Sequence, residues 1–465
     1  MRSNDKVRAR VEADSLGEVQ IPGNALYGAQ TQRASENFQI SELRFPAGFI
    51  STLALIKGCC AEVNGSIGEL EPGVARAITA AAFEIREQDH SEHFPVDVLQ
   101  TGSGTSVNMN MNEVIATLAS RRLGRPVHPN DEVNRCQSSN DVIPATIHVS
   151  CHEAIRNQLL PSLSALANSL ANKAREVNGV VKTGRTHLMD ALPMRLDQEF
   201  RAWRHQVLQC SKRIRSVLPR LGHLPIGGTA IGTGVNAPPE FGPRVVERLS
   251  QQVGIRFQSS LNAMADISSP DTALELSGSL RIGAAALMKI SNDLRWMNSG
   301  PGAGLNEISL PALQPGSSIM PGKINPVIPE AVAMACARVY GNDSSAGIAA
   351  QASSFQLNTM LPLIAFNLLD SIGLLARSAE HLARLAIRDL TVHRQHLEEV
   401  ARRNPILVTA LAPKIGYDHV AEIVREAESE GRSIADAAAE ITGLSREEIE
   451  RELDPKHLTQ RRATR

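Results

Sequence analysis

The sequence predicts a mainly α protein with a central bundle of long helices, and three observations lead to that class. Aromatic residues make up only 3% of the 465 residues, while Ala and Leu recur throughout, so the apolar content comes from aliphatic side chains that suit helices. Apolar residues recur at helical spacing over long uninterrupted runs. Small-residue stretches such as Gly283-Ala284-Ala285-Ala286 let neighbouring helices approach on more than one face, which calls for several partners and so for oligomerisation.

The elements follow in order. Residues 1–141 mix short periodic stretches with Gly, Pro and Asn punctuation and are predicted to form a mixed, loop-rich N-terminal domain. Residues 142–394 form the predicted helical bundle. Its first long run holds Leu196, Phe200, Trp203, Val207, Ile214 and Val217, and its second Leu276, Leu280, Leu287, Ile290, Leu294 and Met297. A third starts near Gln356 and continues through Leu363, Phe366, Leu369, Ile372, Leu375, Leu382 and Leu385, with Pro362 as a possible kink. Residues 395–465 are short and charged and are predicted to be a small helical C-terminal domain ending in a frayed QRRATR tail.

With 48 basic and 49 acidic side chains the net charge is −1, which removes any general electrostatic case for nucleic acid or an anionic membrane. The six cysteines show no C-x-x-C spacing, so a reducing, cytoplasmic setting is expected. The charged N-terminus has no apolar signal region, and no long uninterrupted apolar stretch occurs, so neither a secretion signal nor a membrane span is expected.

Two motifs carry little. Gly232-Thr233-Gly234-Val235-Asn236-Ala237 matches a degenerate dinucleotide pattern but follows a helical run ending near Leu221 rather than a buried strand, and reads as an inter-helix loop. His90-Ser91-Glu92-His93 lacks the further ligands zinc needs and reads as a solvated helix end, so no metal is expected.

Four polar stretches resist explanation by burial. TGSGTSVNMNMNEV (101–114) offers Ser103, Gly104 and Thr105, hydroxyl and backbone donors that suit a carboxylate. HPNDEVNRCQSSND (128–141) brings Ser138, Ser139 and Asn140 together, and is also readable as a capped turn with Asp141 near the first turn of a helix. GRTHLMD (184–190) sets Thr186 and His187 in a polar gap between helical runs. PGSSIMPGKINPVIPE (315–330) surrounds Ser317, Ser318, Lys323 and Asn325 with glycine and proline breaks. Together they hold the parts for a small dicarboxylate: a cation, hydroxyls, amides, one histidine and glycines that admit close approach. They include no cysteine nucleophile with its histidine and no cofactor fingerprint, which leaves proton transfer and electrostatic stabilisation as the chemistry.

At these residues the chain resembles the fumarase/aspartase superfamily, and most closely its class II (iron-independent) fumarate hydratases. GSSIMPGKINP (316–326) is highly specific to that superfamily, and TGSGTS, HPNDEVN, QSSND and GRTH occur in the family's order. The likeness runs from LGEVQIPGNALYGAQTQRASENF (16–38) to LVTALAPKIGYD (407–418). It implies a three-domain homotetramer whose long helices form a shared bundle, with each active site assembled from three subunits. It also implies reversible anti elimination of water from (S)-malate to give fumarate, without cofactor or metal. By resemblance Ser317 is the base, Lys323 and Asn325 hold the reacting carboxylate, and Ser103, Gly104, Thr105, Ser138, Ser139, Asn140, Thr186 and Ser318 bind substrate. His187, paired with Glu330, handles the water. Arg125, His128, Pro129, Asn130 and Asp131 would line a secondary anion site, or a plain structural turn.

Within the superfamily, histidine after Gly-Arg-Thr favours the hydratases, whereas Val107 and Gln356-Leu357-Asn358 lie closer to the aspartate ammonia-lyases. Arg195 and Asp197 depart from the Thr-Leu-Gly-Gln run common to both. The alternatives are therefore aspartate ammonia-lyase, another carboxylate lyase, or a non-catalytic crystallin-like scaffold. The intact polar set argues against the last.

Overall fold

The structure is a computed structural model that describes residues 9–316 and 318–459. A hairpin of β1 (Ala9–Asp14) and β2 (Gly17–Pro22) opens the described chain, followed by α1 (Ala29–Asn37), α2 (Ala47–Ser66), α3 (Pro72–Glu87), α4 (Thr105–Leu123), α5 (Ser139–Ala154) and α6 (Leu160–Glu176). A second hairpin, β3 (Val181–Thr186) with β4 (Met189–Arg195), leads into α7 (Leu196–Leu221). Then come β5 (His223–Leu224), α8 (Phe241–Val253), β6 (Gln258–Ser259), α9 (Ala263–Ser268), α10 (Asp271–Met297) and β7 (Ile308–Ser309). The chain closes with α11 (Val327–Gln351), α12 (Leu361–His381), β8 (Thr391–Val392), α13 (Arg394–Arg403) and the short helices α14 (Ala412–Ile415), α15 (Tyr417–Glu430), α16 (Ile434–Thr442), α17 (Arg446–Glu452) and α18 (Pro455–Leu458). Among the described residues each of the four sheets has two strands. The protein is thus mainly α, as the sequence predicts.

The chain divides into two compact units that are discontinuous in sequence. The first comprises residues up to 161, 210–284 and 335–377. In it α2 packs against α3, α5 and α8, with Phe49, Leu53, Ile56 and Ile78 among its fully enclosed side chains. The second comprises 162–209, 285–334 and 378 onward. Phe200 and Trp203 meet there edge to face at 5.1 Å, and the Trp203 indole donates to Asp293 Oδ2 at 3.2 Å. Residues 407–453 gather their own apolar cluster around Leu407, Val408, Leu411, Ile423 and Ile449.

The structure differs from the sequence reading in two places. Residues 9–141 are more helical than their punctuation implies, because α2 and α4 bury nearly every face and so show no polar stripe to mark a helix. The third long helix begins at Leu361 rather than near Gln356. Residues 354–357 close a tight bridged turn ahead of it, and Pro362 occupies the first helical turn, where its missing N–H costs nothing. One stretch, Leu361–Ile387, is long and apolar enough to cross a membrane, but 67% of its most apolar window is buried inside the protein, as in a core helix.

Candidate active site

In the first unit the N-termini of α4 and α5 meet. Gly104 caps α4 in a left-handed conformation (φ +75), and a Cβ there would press to 2.9 Å from Ile143 of α5. Gly102 is equally confined, since a Cβ would fall 1.7 Å from the Thr359 carbonyl. These contacts bring a chain of hydroxyls into register. Ser103 Oγ lies 2.7 Å from Thr105 Oγ1, which lies 2.8 Å from Ser139 Oγ. Ser138 caps α5 in a capping box with Asp141. Asn140 donates from Nδ2 to the Ala230 carbonyl at 2.8 Å. Hydroxyls gathered at two helix N-termini, where the helix dipoles are positive, make a setting that favours an anion. All six substrate-binding residues expected in this region, Ser103, Gly104, Thr105, Ser138, Ser139 and Asn140, are therefore neighbours.

Two buried charges that sequence reasoning passed over support this corner. Asp141 was read only as a helix-start residue. It is fully buried, and burial pushes its carboxyl up to about 6, against the pull of backbone N–H groups from Ser138, Thr229 and Gly227. Lys57 of α2 is also fully buried and donates to Asn134 Oδ1 at 2.8 Å. Burial lowers its ammonium to about 7. A lysine inside an apolar helical run is the one signal that marked this position in the sequence.

The second unit carries Thr186, His187, Ser318, Lys323, Asn325 and Glu330. Thr186 pairs with Met189, leaving His187 and Leu188 as a two-residue hairpin turn, both with positive φ (56 and 62). This is the type I′ pattern, made here without the usual glycine or asparagine. His187 is exposed at the tip, beside the exposed Leu188 and Met189. The hairpin base is held by charge: Lys182 Nζ lies 2.9 Å from Glu199 and 2.6 Å from Glu307, which also meets Arg185 at 2.5 Å. Glu307 is 2% exposed, so the motif's arginine is a structural anchor for the turn.

Ser317 lies outside the described residues. Its loop is pinched shut where Gly316 approaches the Lys323 carbonyl, and a Cβ at Gly316 would fall 1.5 Å from that oxygen. Ser318, Lys323 and Asn325 are exposed on this loop, and Glu330 stands in the first turn of α11. Among the described residues no ion pair joins His187 to Glu330 within one chain.

In the segment expected to be a secondary anion site or a plain turn, His128 Nδ1 accepts from the backbone N–H groups of Asn130 (3.3 Å) and Asp131 (3.0 Å), while Pro129 starts a short turn. Arg125 pairs with Glu132 at 3.3 Å. These groups satisfy one another, which gives the structural-turn reading its support. The His90 to His93 stretch is a single 3-10 turn with rings 6.0 Å apart, and no group of three potential metal ligands occurs among the described residues. The 232–237 stretch lies in a turn-rich loop between β5 and α8.

Residues 17–341 match a lyase family model and 407–460 a fumarase C C-terminal model. A class II fumarate hydratase of Pseudomonas aeruginosa is 54% identical over 97% of this chain and 98% of its own. The chain belongs to the class II fumarate hydratase family. A Xylella fastidiosa member is 51% identical over 99% of this chain and 97% of its own. Among solved structures, a recombinant class II fumarase from Schistosoma mansoni superposes with a TM-score of 0.94 at 37% identity, covering 97% of this chain and 99% of that one. A fumarate lyase:delta crystallin from Brucella melitensis, solved with cobalt, gives 0.92 at 39% identity over 97% and 100%.

The positions that depart from the family's pattern have structural work to do. Arg195 Nε bonds Asp197 Oδ1 at 2.9 Å and Arg195 reaches the Thr459 carbonyl, while Asp197 also meets Arg201 at 3.1 Å, so the departure is a self-contained ion cluster opening α7. Val107 is buried in α4 and its backbone N–H is held by Gln100 Oε1 at 2.8 Å. Asn358 is buried and bonded to Ala349, Ser353 and Met360, leaving Gln356 exposed on the turn.

Proposed function

We propose that this chain is a fumarate hydratase that removes water from (S)-malate by anti elimination and adds it back to fumarate. One observation carries the reading: a match along nearly the whole chain to class II fumarate hydratases, at 54% identity for the Pseudomonas aeruginosa protein. The meeting of two helix N-termini lined by Ser103, Thr105 and Ser139 supports it, because that is a seat for one carboxylate of a small diacid.

The chemical difficulty is the weakly acidic C3 proton. Its removal puts a second negative charge on the neighbouring carboxylate, giving an aci-carboxylate intermediate. Ser317 takes the proton as an alkoxide, its basicity made available by loop N–H groups and the Lys323 cation. Lys323 and Asn325 hold the carboxylate where charge develops, and losing one such preorganised donor costs about 3–4 kcal/mol in the barrier. Thr186, Ser318 and the 138–140 donors keep the diacid oriented. His187, oriented by Glu330, gives the departing hydroxide its proton.

The His187 to Glu330 pair would form between copies of the chain, in sites assembled from three subunits of a homotetramer. Exposed apolar side chains along α10 (Ile282, Trp296) and α11 (Met334, Tyr340, Ile348) support such an assembly. Arg125 and residues 128–131 would form the secondary anion site. Six buried free thiols accord with a reducing cytoplasm. The second reading is aspartate ammonia-lyase, favoured by Val107 and Gln356.

Fumarate hydration in heavy water, followed by proton NMR, tests the reaction itself. Malate with a single deuterium at C3, placed by trans addition, is expected; no malate, or deuterium at both C3 positions, would remove the proposal.

A further inference from the structure

Asp141 has no part in the reaction as drawn, yet its carboxylate joins two segments at the site. Oδ1 accepts from the Ser138 backbone N–H at 3.0 Å, an ordinary capping-box bond. Oδ2 accepts from the backbone N–H groups of Gly227 (3.1 Å) and Thr229 (2.9 Å), which capping has no need of. The loop so held is strained. Thr229 is β-branched with φ +56, a region costing about 1–3 kcal/mol that persists only where the surroundings over-determine it. A Cβ on Gly227 would lie 2.8 Å from Gly242, so the loop is also wedged against α8. Beside Asp141, the Asn140 amide ties to Ala230 at 2.8 Å.

We propose that Asp141 is a positioning residue for substrate binding: its carboxylate clamps the 227–229 loop onto the start of α5 and thereby fixes the Ser138, Ser139 and Asn140 donors. The clamp deepens the hydratase reading and relies on it only for the identity of the substrate. Asparagine at this position keeps the size but turns an NH2 group towards backbone N–H donors, so at least one of the three bonds is lost.

The test compares wild-type protein with Asp141→Asn and Asp141→Glu. Because the 138–140 donors bind substrate and transition state alike, Asp141→Asn is expected to raise KM for malate about tenfold or more while kcat changes by less than about threefold. The inhibition constant of succinate, a diacid that cannot react, is expected to rise by the same factor. Asp141→Glu keeps the charge and is expected to recover part of both losses. Amide hydrogen exchange across 226–231 should quicken in Asp141→Asn. Unchanged KM and succinate inhibition in a folded Asp141→Asn protein overturn the clamp, as does a loss confined to kcat. Where Asp141→Asn does not fold, Asp141→Glu meets the same criterion. If wild-type protein is silent with malate, the hydratase reading fails, and exchange at 226–231 decides the clamp alone: faster exchange supports it and unchanged exchange overturns it.

Discussion

Ser317→Ala is expected to lower malate dehydration by about 10²–10⁴-fold, the span of a single general base, while the mass of the assembly stays unchanged in light scattering. Retained turnover would move the base elsewhere. Lys57 makes a separate prediction about pH. Its ammonium titrates near 7 when folded and at its ordinary 10.5 when unfolded, so between those values the unfolded chain binds the extra proton and stability rises with pH. The contribution is complete above 10.5 and is lost as pH falls through 7. Lys57→Met removes it, so the gap in urea midpoint between wild type and variant should widen in favour of wild type from pH 7 to pH 9. A constant gap would mean that Lys57 is not held neutral in the fold. Both buried charges escaped sequence reasoning for one reason: a residue's solvation depends on neighbours far along the chain, and Asp141 owes its environment to Gly227 and Thr229.

At the scale of elements, the β3–β4 hairpin stands on Glu307. Breaking a buried ion pair leaves its partner charge uncompensated, so Glu307→Gln should destabilise the protein by about 3 kcal/mol, at the lower end of the usual range because Glu199 still faces Lys182. Thermal unfolding measures this, and an unchanged midpoint would contradict it. The pinched loop makes a second prediction. Gly316→Ala forces a Cβ onto the Lys323 carbonyl, and a displacement of about 1 Å in a loop carrying Lys323 should cost roughly 10²-fold in kcat. Full turnover in that variant would show the closure to be unimportant. The long helices α7 and α10 were legible because each keeps an unbroken apolar stripe, as at Leu196, Phe200, Trp203 and Val207. α4 was not: its Asn108, Asn110 and Asn112 are buried, and polar residues in a core defeat any pattern based on hydrophobicity. The His187 turn was also hidden, since a hairpin bend made of histidine and leucine carries none of the residues that announce one.

At the scale of the whole molecule, the candidate residues stand on different elements: hydroxyls at the α4 and α5 N-termini, His187 on an exposed hairpin, and Lys323 with Asn325 on an exposed loop. Motif order proposes the members of the site, and no sequence pattern states which copy of the chain would supply each group in the proposed assembly. If the proposed assembly of four 50.1 kDa chains forms, Met334→Asp, on an exposed face of α11, is expected to split it and to abolish turnover with it. Full activity in a stable monomer would remove the shared site. The reaction itself is tested most directly with purified protein given (S)-malate and L-aspartate in separate cuvettes, reading the ultraviolet absorbance of the fumarate double bond. Absorbance growing with malate alone is the expected result. Growth with aspartate alone would contradict it and make Val107 and Gln356 better guides to the substrate than His187.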